Sequence, residues 1–331
     1  MPDLTTSYLG LKLAHPLLPS ASPLTSTLTG LESLAEAGAP AVVLGSLFEE
    51  QVDLQHELME SMLHQGSDSY GEALSYFPSP ETYTEAADDY VELVHAARRR
   101  LDIPVIASLN GTTPGGWVRY ARKIERAGAH ALELNLFQVP ADPLRSGTEV
   151  EADYLAVVKA VREQIEIPLA VKLGPFFSSP AHFARRLCEA GADGLVLFNR
   201  FYQCDFDLDQ LELVPRLELS RPYEMLMPLT WIAVLFGRVE ADLALTGGVG
   251  SHLDALKALM AGARVVQLAS ELLRFGPPRL GEMLAGLVAW LEEREYRSVA
   301  ELQGSMSQRR VTEPAAYMRA NYLRTLQSWR R

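Results

Sequence analysis

Leu243-Ala-Leu-Thr-Gly-Gly-Val-Gly250, a helical stretch, and then Ala261-Gly-Ala-Arg-Val-Val-Gln-Leu-Ala-Ser270 form the segment on which the reading of this chain turns. It holds two short apolar runs of the kind that make buried strands, and each run ends in small residues. In a (β/α)8 barrel, the loops after strands seven and eight form a frequent phosphate site. Glycine lets backbone N–H groups approach an anion closely, and a neighbouring helix N-terminus favours negative charge. Gly247, Gly248, Ala269 and Ser270 are therefore the residues expected to hold a phosphate.

The tripeptide that opens the second run recurs. Ala-Gly-Ala stands at 37–39, 127–129, 190–192 and 261–263, each time closing a helical pattern and leading into an apolar run. The runs are Ala41-Val-Val-Leu-Gly45, Ala131-Leu-Glu-Leu-Asn135, Gly194-Leu-Val-Leu-Phe-Asn199 and Val265-Val-Gln-Leu-Ala269. Glycine just past a helix end supplies a left-handed cap, and runs of this length and character read as buried parallel strands. Val105–Asn110 and Leu169–Leu173 open after Ile-Pro, and Leu17–Ser22 and Leu243–Thr246 complete eight strands. Helical patterns at 83–101, 115–127, 151–165, 180–190 and 251–261 separate them. Strict alternation predicts a parallel sheet, and eight strands favour a closed (β/α)8 TIM barrel over an open doubly wound sheet.

At 331 residues the chain exceeds the roughly 250 of an ordinary barrel. Two segments account for the surplus. Residues 48–82 follow strand two, include Phe77-Pro-Ser-Pro80, and read as an irregular insertion over the top face. The barrel domain is expected to span 1–304, leaving 305–331 as a helical extension. Thr312-Glu-Pro314 is a helix start, and Tyr317, Met318, Tyr322, Leu323, Leu326 and Trp329 follow at roughly helical spacing. The expectation is a helix packed on the barrel or on a sister subunit.

With 48% apolar and 22% charged residues, the chain has the composition of a globular protein, not a disordered one. A net charge of −12 argues against a nucleic-acid surface. The N-terminus lacks a basic region followed by an apolar one, and the apolar run at 225–237 is short of the ~20 residues that a membrane helix needs. No membrane contact and a cytoplasmic location are the expectations. Two cysteines, Cys188 and Cys204, provide no disulfide framework. The seven histidines, His56 and His64 closest among them, show no metal-ligand spacing.

Barrel chemistry collects at the C-terminal ends of the strands. Those ends offer Ala21 and Ser22; Gly45 and Ser46; Asn110; Asn135 and Gln138; Lys172; Asn199 and Arg200; Thr246 to Gly248; and Ala269 and Ser270. Lys172 stands out, because a lysine within a core strand is costly unless it meets an anion or an electron-rich ring. The plain alternative is a lysine whose stem packs while its amine reaches the barrel rim. Asn135 and Asn199, at equivalent strand ends, are placed to face a shared polar ligand, although each alone could cap a turn.

The order of these motifs resembles the dihydroorotate dehydrogenases, FMN-binding barrels, particularly their soluble class 1 type. The matching pieces are Leu17-Leu-Pro-Ser-Ala-Ser22, Glu133-Leu-Asn-Leu136, Val171-Lys-Leu173, Asn199, Thr246-Gly-Gly248 and Gln267-Leu-Ala-Ser270. The resemblance runs from about Ser7 to Gly304. It implies FMN as cofactor, with Ala21, Ser22, Gly45 and Ser46 along the flavin and Lys172 near its N1/O2 edge, where its charge would stabilise the anionic reduced ring. It puts the phosphate on Gly247, Gly248, Ala269 and Ser270. Asn110, Asn135 and Asn199 fall where the family binds the ring and the amide edges of a small-molecule substrate. It also implies a homodimer and an electron-transfer partner.

The likeness breaks at the proton-transfer position. Class 1 enzymes place a cysteine, and class 2 enzymes a serine, three residues past the strand-four asparagine. Here the stretch is Asn135-Leu-Phe-Gln-Val-Pro140, and Gln138 occupies the base position. An amide has no accessible acid–base pKa and is not competent as a general base. The family's strand-two lysine is Gly45, its substrate loop has become Ser75-Tyr-Phe-Pro-Ser79, and a further loop asparagine is Pro140. Cys204, Tyr202, His64 and Asp142 are the remaining groups considered near the cavity, none with a spacing argument behind it. The leading expectation is an FMN-dependent oxidoreductase of this family with an altered substrate or proton donor. The alternatives are a flavin-binding subunit without dihydroorotate turnover and a non-redox barrel acting on a phosphorylated small molecule.

Overall fold

The computed structural model describes residues 1–52, 86–115, 118–201, 205–214 and 217–329. Eight parallel strands form one sheet in the order β3 (Leu17–Pro19), β12 (Val265–Leu268), β11 (Asp242–Thr246), β8 (Gly194–Leu197), β7 (Leu169–Leu173), β6 (Ala131–Leu136), β5 (Val105–Asn110) and β4 (Val42–Phe48). The two end strands, β3 and β4, lie against one another and complete the barrel. The fold is the (β/α)8 barrel that the alternating pattern predicts.

Four of the surrounding helices end at the repeated joint. Helices α1 (Leu28–Glu36), α3 (Arg119–Arg126), α5 (Pro180–Glu189) and α7 (His252–Ala261) each run into Ala-Gly-Ala. The four glycines, Gly38, Gly128, Gly191 and Gly262, have φ of +90°, +99°, +108° and +124°. Residues with a Cβ rarely adopt these angles, so glycine turns the chain from each helix directly into the next strand. Between them, α2 (Ala86–Arg100) and α4 (Gly147–Arg162) cover the sheet, the latter opened by a capping box between Ser146 and Glu149.

Side chains alternate across each strand. Outward residues such as Val42, Leu109, Leu134 and Leu195 are buried under the helices. Inward residues at the N-terminal end are small or aliphatic: Leu18, Ala41, Val43, Ile106, Ala131, Ala170, Val196 and Ala244. A hairpin of β1 (Thr6–Tyr8) and β2 (Leu11–Leu13) closes this end, burying Tyr8, Leu9 and Leu13 in the same cluster. The Leu9 N–H donates to Asp242 Oδ2 at 2.8 Å and fastens the plug to β11. Filled below, the barrel leaves its inward positions at the C-terminal end for polar residues.

Two features outside the barrel differ from expectation. After β8 the chain carries an exposed hairpin of β9 (Asp205–Asp207) and β10 (Glu212–Val214), then α6 (Leu226–Leu235), none of which the sequence patterns had suggested. The C-terminal helix forms as α11 (Pro314–Gln327), with proline in its first turn, but it buries none of its residues. Its firmest described tie is Gln308 Nε2 donating to Met318 Sδ at 3.1 Å. Packing against the barrel is therefore slight, and Tyr322, Leu323, Leu326 and Trp329 stay exposed. The insertion expected at 48–82 lies mostly outside the described residues, as do His56, His64, Tyr202 and Cys204.

Candidate active site

A cavity of about 680 Å3 opens at the C-terminal end of the barrel. Ala21, Ser22, Gly45, Ser46, Asn110, Asn135, Lys172, Asn199, Gly247, Gly248, Ala269 and Ser270 all line it. All eight barrel strands contribute to that wall. The alternation explains why: Asn110, Asn135, Lys172, Thr246 and Ala269 continue the inward series begun lower on each strand. A Cβ at Gly45 would stand 2.2 Å from Ser26 Oγ, so any side chain there requires Ser26 to turn aside.

At the floor of the cavity lies a chain of buried polar groups. Ser20 Oγ donates to Gln267 Oε1 at 3.0 Å, and Gln267 Nε2 donates to Glu133 Oε2 at 2.7 Å. Glu133 Oε1 in turn stands 3.4 Å from Lys172 Nζ. Glu133 and Gln267 are each 1% exposed. Lys172 is thus neither a rim lysine nor an isolated one; its amine meets a carboxylate that is itself fixed by a second strand. A buried cation is tolerable when paired and hydrogen-bonded, and this arrangement meets that condition. Glu133 and Gln267 escaped attention as site residues in the sequence, though both fall on the inward period of β6 and β12.

Above this floor the strand-end asparagines meet: Asn199 Nδ2 donates to Asn135 Oδ1 at 2.8 Å. Ser46 and Ser108 share a hydrogen bond of 2.7 Å, and the Ser108 N–H donates to Tyr90 Oη at 2.7 Å. These contacts fix the rotamers of polar groups before any ligand meets them.

Around Gly248 and Ser270 the structure adds a residue that the sequence did not reveal. Ser220 Oγ accepts from the Gly248 N–H at 3.1 Å and donates to Ser270 Oγ, which also accepts from the Ser220 N–H. Gly248 has φ of +73°, and a Cβ there would meet the Met225 nitrogen at 2.5 Å and the Arg221 carbonyl oxygen at 2.7 Å. Only a bare backbone fits between the two loops. Glu271, buried one residue beyond the cradle, is neutralised by Arg279 Nε at 2.8 Å, while Arg279 Nη2 donates to the Gly250 carbonyl. One arginine thus ties the glycine-bearing loop after β11 to the Ala269–Glu271 turn after β12 and offsets the buried carboxylate. Ser220 carried no sequence signal because it sits in an irregular stretch between the hairpin and α6.

Two expected neighbours stand elsewhere. Asp142 is exposed and accepts from its own loop, at the Leu144 N–H, 2.9 Å away. Gln138 lies outside the main cavity, in an adjoining aromatic pocket. Its backbone is held at both ends by Tyr154: the Gln138 N–H donates to Tyr154 Oη at 3.1 Å, and the hydroxyl donates back to the Gln138 carbonyl at 3.3 Å. Burial pushes the Tyr154 hydroxyl above its usual pKa, so it stays protonated and keeps donating. The residue expected at the base position thus lines the aromatic pocket and not the main cavity.

Among the described residues, no group of three His, Cys, Asp or Glu is placed to hold a metal ion, and no helix is long and apolar enough to cross a membrane. Cys188 is a half-buried thiol whose Sγ donates to the Ala184 carbonyl, and burial raises its pKa. That environment makes it unreactive.

The family model described as Dihydroorotate dehydrogenase matches residues 82–291. The chain belongs to the dihydroorotate dehydrogenase family. It is 33% identical over 210 residues to an Aeropyrum pernix protein assigned as dihydroorotate dehydrogenase A (fumarate), covering 61% of this chain and 67% of that one. It is 32% identical to the catalytic subunit of dihydroorotate dehydrogenase B (NAD(+)) of Desulforudis audaxviator, covering 62% and 68%. A longer alignment, 24% identical over 310 residues, relates it to the corresponding catalytic subunit of Thermoplasma volcanium, covering 92% of this chain and 98% of the relative. The last runs through nearly the whole barrel.

Proposed function

We propose that this chain is an FMN-dependent oxidoreductase that transfers hydride between flavin N5 and a small unsaturated substrate related to dihydroorotate. The observation that carries the reading is convergence: one cavity gathers the small residues, asparagines and buried Lys172 from all eight strand ends. Its volume of about 680 Å3 lies within the roughly 300–1,000 Å3 usual for cofactor sites. The bare Gly248 backbone and the hydroxyls of Ser220 and Ser270 suit a phosphate, whose oxygens need several donors at short range.

Bound there, FMN supplies an acceptor and donor of hydride. The protein's part is positional and electrostatic. Gly247, Gly248, Ala269, Ser270 and Ser220 hold the phosphate end. Ala21, Ser22, Gly45 and Ser46 give the flat ring a wall of small groups. Lys172, fixed by Glu133, sets a positive charge where negative charge develops on reduction. Asn110, Asn135 and Asn199 present amides to the ring and to the substrate. A second acceptor, an electron-transfer partner in this proposal, restores the oxidised state, and two copies of the chain form a homodimer.

One observation favours a second reading, a flavoprotein of this family that does not turn over dihydroorotate. Gln138, at the proton-transfer position, stands outside the cavity and has no titratable group to offer. Loading the chain with FMN and mixing it anaerobically with dihydroorotate separates the readings. A flavin band that stays oxidised over minutes supports an altered substrate or a non-turnover subunit. Prompt bleaching restores dihydroorotate as substrate, and failure to take up FMN at all contradicts the proposed function.

A further inference from the structure

A second pocket of about 270 Å3 adjoins the main cavity, and Phe137 forms part of both walls. The loops after β6, β7 and β8 build it, and its lining is aromatic. Phe137 and Phe201 have ring centroids 6.2 Å apart, Phe176 meets Phe201 edge to face at 5.3 Å, and Phe177 meets Tyr154 at 5.7 Å. Edge-to-face and tilted arrangements leave ring faces and edges free to receive another ring. Phe176 is 67% exposed at the mouth of the pocket, so part of its ring is free to meet a bound group.

The same pocket contains one orphaned polar atom. Gln138 Oε1 is buried and has no hydrogen-bond partner among the described residues. Tyr154 holds the backbone N–H and carbonyl of this residue, which fixes where its side chain starts. A buried acceptor without a donor is costly, and such an atom in an otherwise apolar pocket specifies what belongs there. The requirement is an aromatic group bearing an O–H or N–H.

We propose that this side pocket binds the distal end of the substrate: an aromatic ring, conjugated to the unsaturated carbon centre that faces the main cavity, with a ring hydroxyl or ring N–H donating to Gln138 Oε1. The inference rests on reading the main cavity as a flavin site. It makes Gln138 a specificity residue at the position where relatives of the chain were expected to keep a base. It also accounts for the apolar character of Phe137 and Val139-Pro140, the last in place of a loop asparagine, since a ring bound sideways needs apolar walls.

The test uses the full chain loaded with FMN and three matched probes: 4-hydroxycinnamate, cinnamate and crotonate, titrated while the flavin absorbance is followed. Flavin uptake is read first. The expected order of affinity is 4-hydroxycinnamate above cinnamate above crotonate, with at least about tenfold between the first and last. Gln138→Leu should erase the preference for the hydroxylated ring, a loss of about tenfold for that probe alone, corresponding to one hydrogen bond. Phe176→Ala, at an exposed position that the fold does not need, should weaken both aromatic probes and leave crotonate unchanged. A loaded protein that binds the three probes equally, or none of them, overturns the side-pocket inference while the flavin reading stands. A protein that does not take up FMN overturns both.

Discussion

Lys172 Nζ and Glu133 Oε1 lie 3.4 Å apart at the floor of the cavity, on neighbouring strands and almost wholly out of water. The pair is held from the far side of the barrel by Gln267. Burying two charges is costly, and removing one partner leaves the other uncompensated. Glu133→Gln is therefore expected to destabilise the protein by about 3 kcal/mol, read as a lower urea midpoint. The double variant Glu133→Leu, Lys172→Met should recover most of that loss, because apolar replacements of similar volume remove the desolvation cost. If Lys172 serves the flavin, the double variant should also show a lower flavin reduction potential, as the charge that favours the reduced ring is gone.

The barrel was legible because its signals are repeated and local. Four Ala-Gly-Ala joints and eight apolar runs state the same unit again and again, and each strand end can then be read for its chemistry. The boundaries shifted by up to three residues, as when Leu17–Ser22 shortened to Leu17–Pro19. Features that depend on contacts far apart in sequence were not legible. The Glu133–Gln267 link spans 134 residues, and Ser220 reaches Gly248 from an irregular segment. The β1–β2 hairpin has strands of three residues, too short for any periodicity to show. The placement of Gln138 in the side pocket follows from tertiary packing, where Tyr154 on α4 and the Phe176-Phe177 loop meet the loop after β6.

Gly248 offers a sharp steric test. Its φ of +73° and the backbone atoms within 2.7 Å of a would-be Cβ leave no room for alanine. Gly248→Ala should cost about 1–3 kcal/mol of stability through local strain and weaken FMN binding more than tenfold, measured by thermal unfolding and flavin fluorescence titration. Gly247, also at positive φ but with open space around its Cβ position, should lose less on the same substitution.

The position of Gln138 leads to a prediction about activity. Because its side chain lies outside the main cavity, restoring a thiol at this residue should not restore proton transfer there. Gln138→Cys is expected to reduce its flavin with dihydroorotate no faster than the unsubstituted protein in anaerobic stopped-flow measurements. A large acceleration would place the residue at the ring after all.

His15 should make stability depend on pH. It is 4% exposed, Nδ1 accepts from the Leu17 N–H, and Nε2 donates to the Gly38 carbonyl. Burial lowers its pKa below the usual 6.5, and a second ring proton would abolish the acceptor that Leu17 uses. The unfolded chain then binds more protons than the folded one below about pH 6.5, so stability falls as pH drops through that value. The midpoint of thermal unfolding should decrease from pH 7.5 to pH 5.5. His15→Gln should be less stable at pH 7.5 but show a shallower decrease.

FMN uptake by the purified full chain bears most directly on the proposed flavin cavity. Equilibrium dialysis against FMN, followed by an absorbance spectrum of the retained protein, should show one flavin per chain with a perturbed visible band, and Gly248→Ala should retain much less. A chain that stays colourless in excess FMN, or that binds it equally well with Gly248→Ala, would contradict the placement of the cofactor between Lys172 and the Gly248–Ser270 cradle.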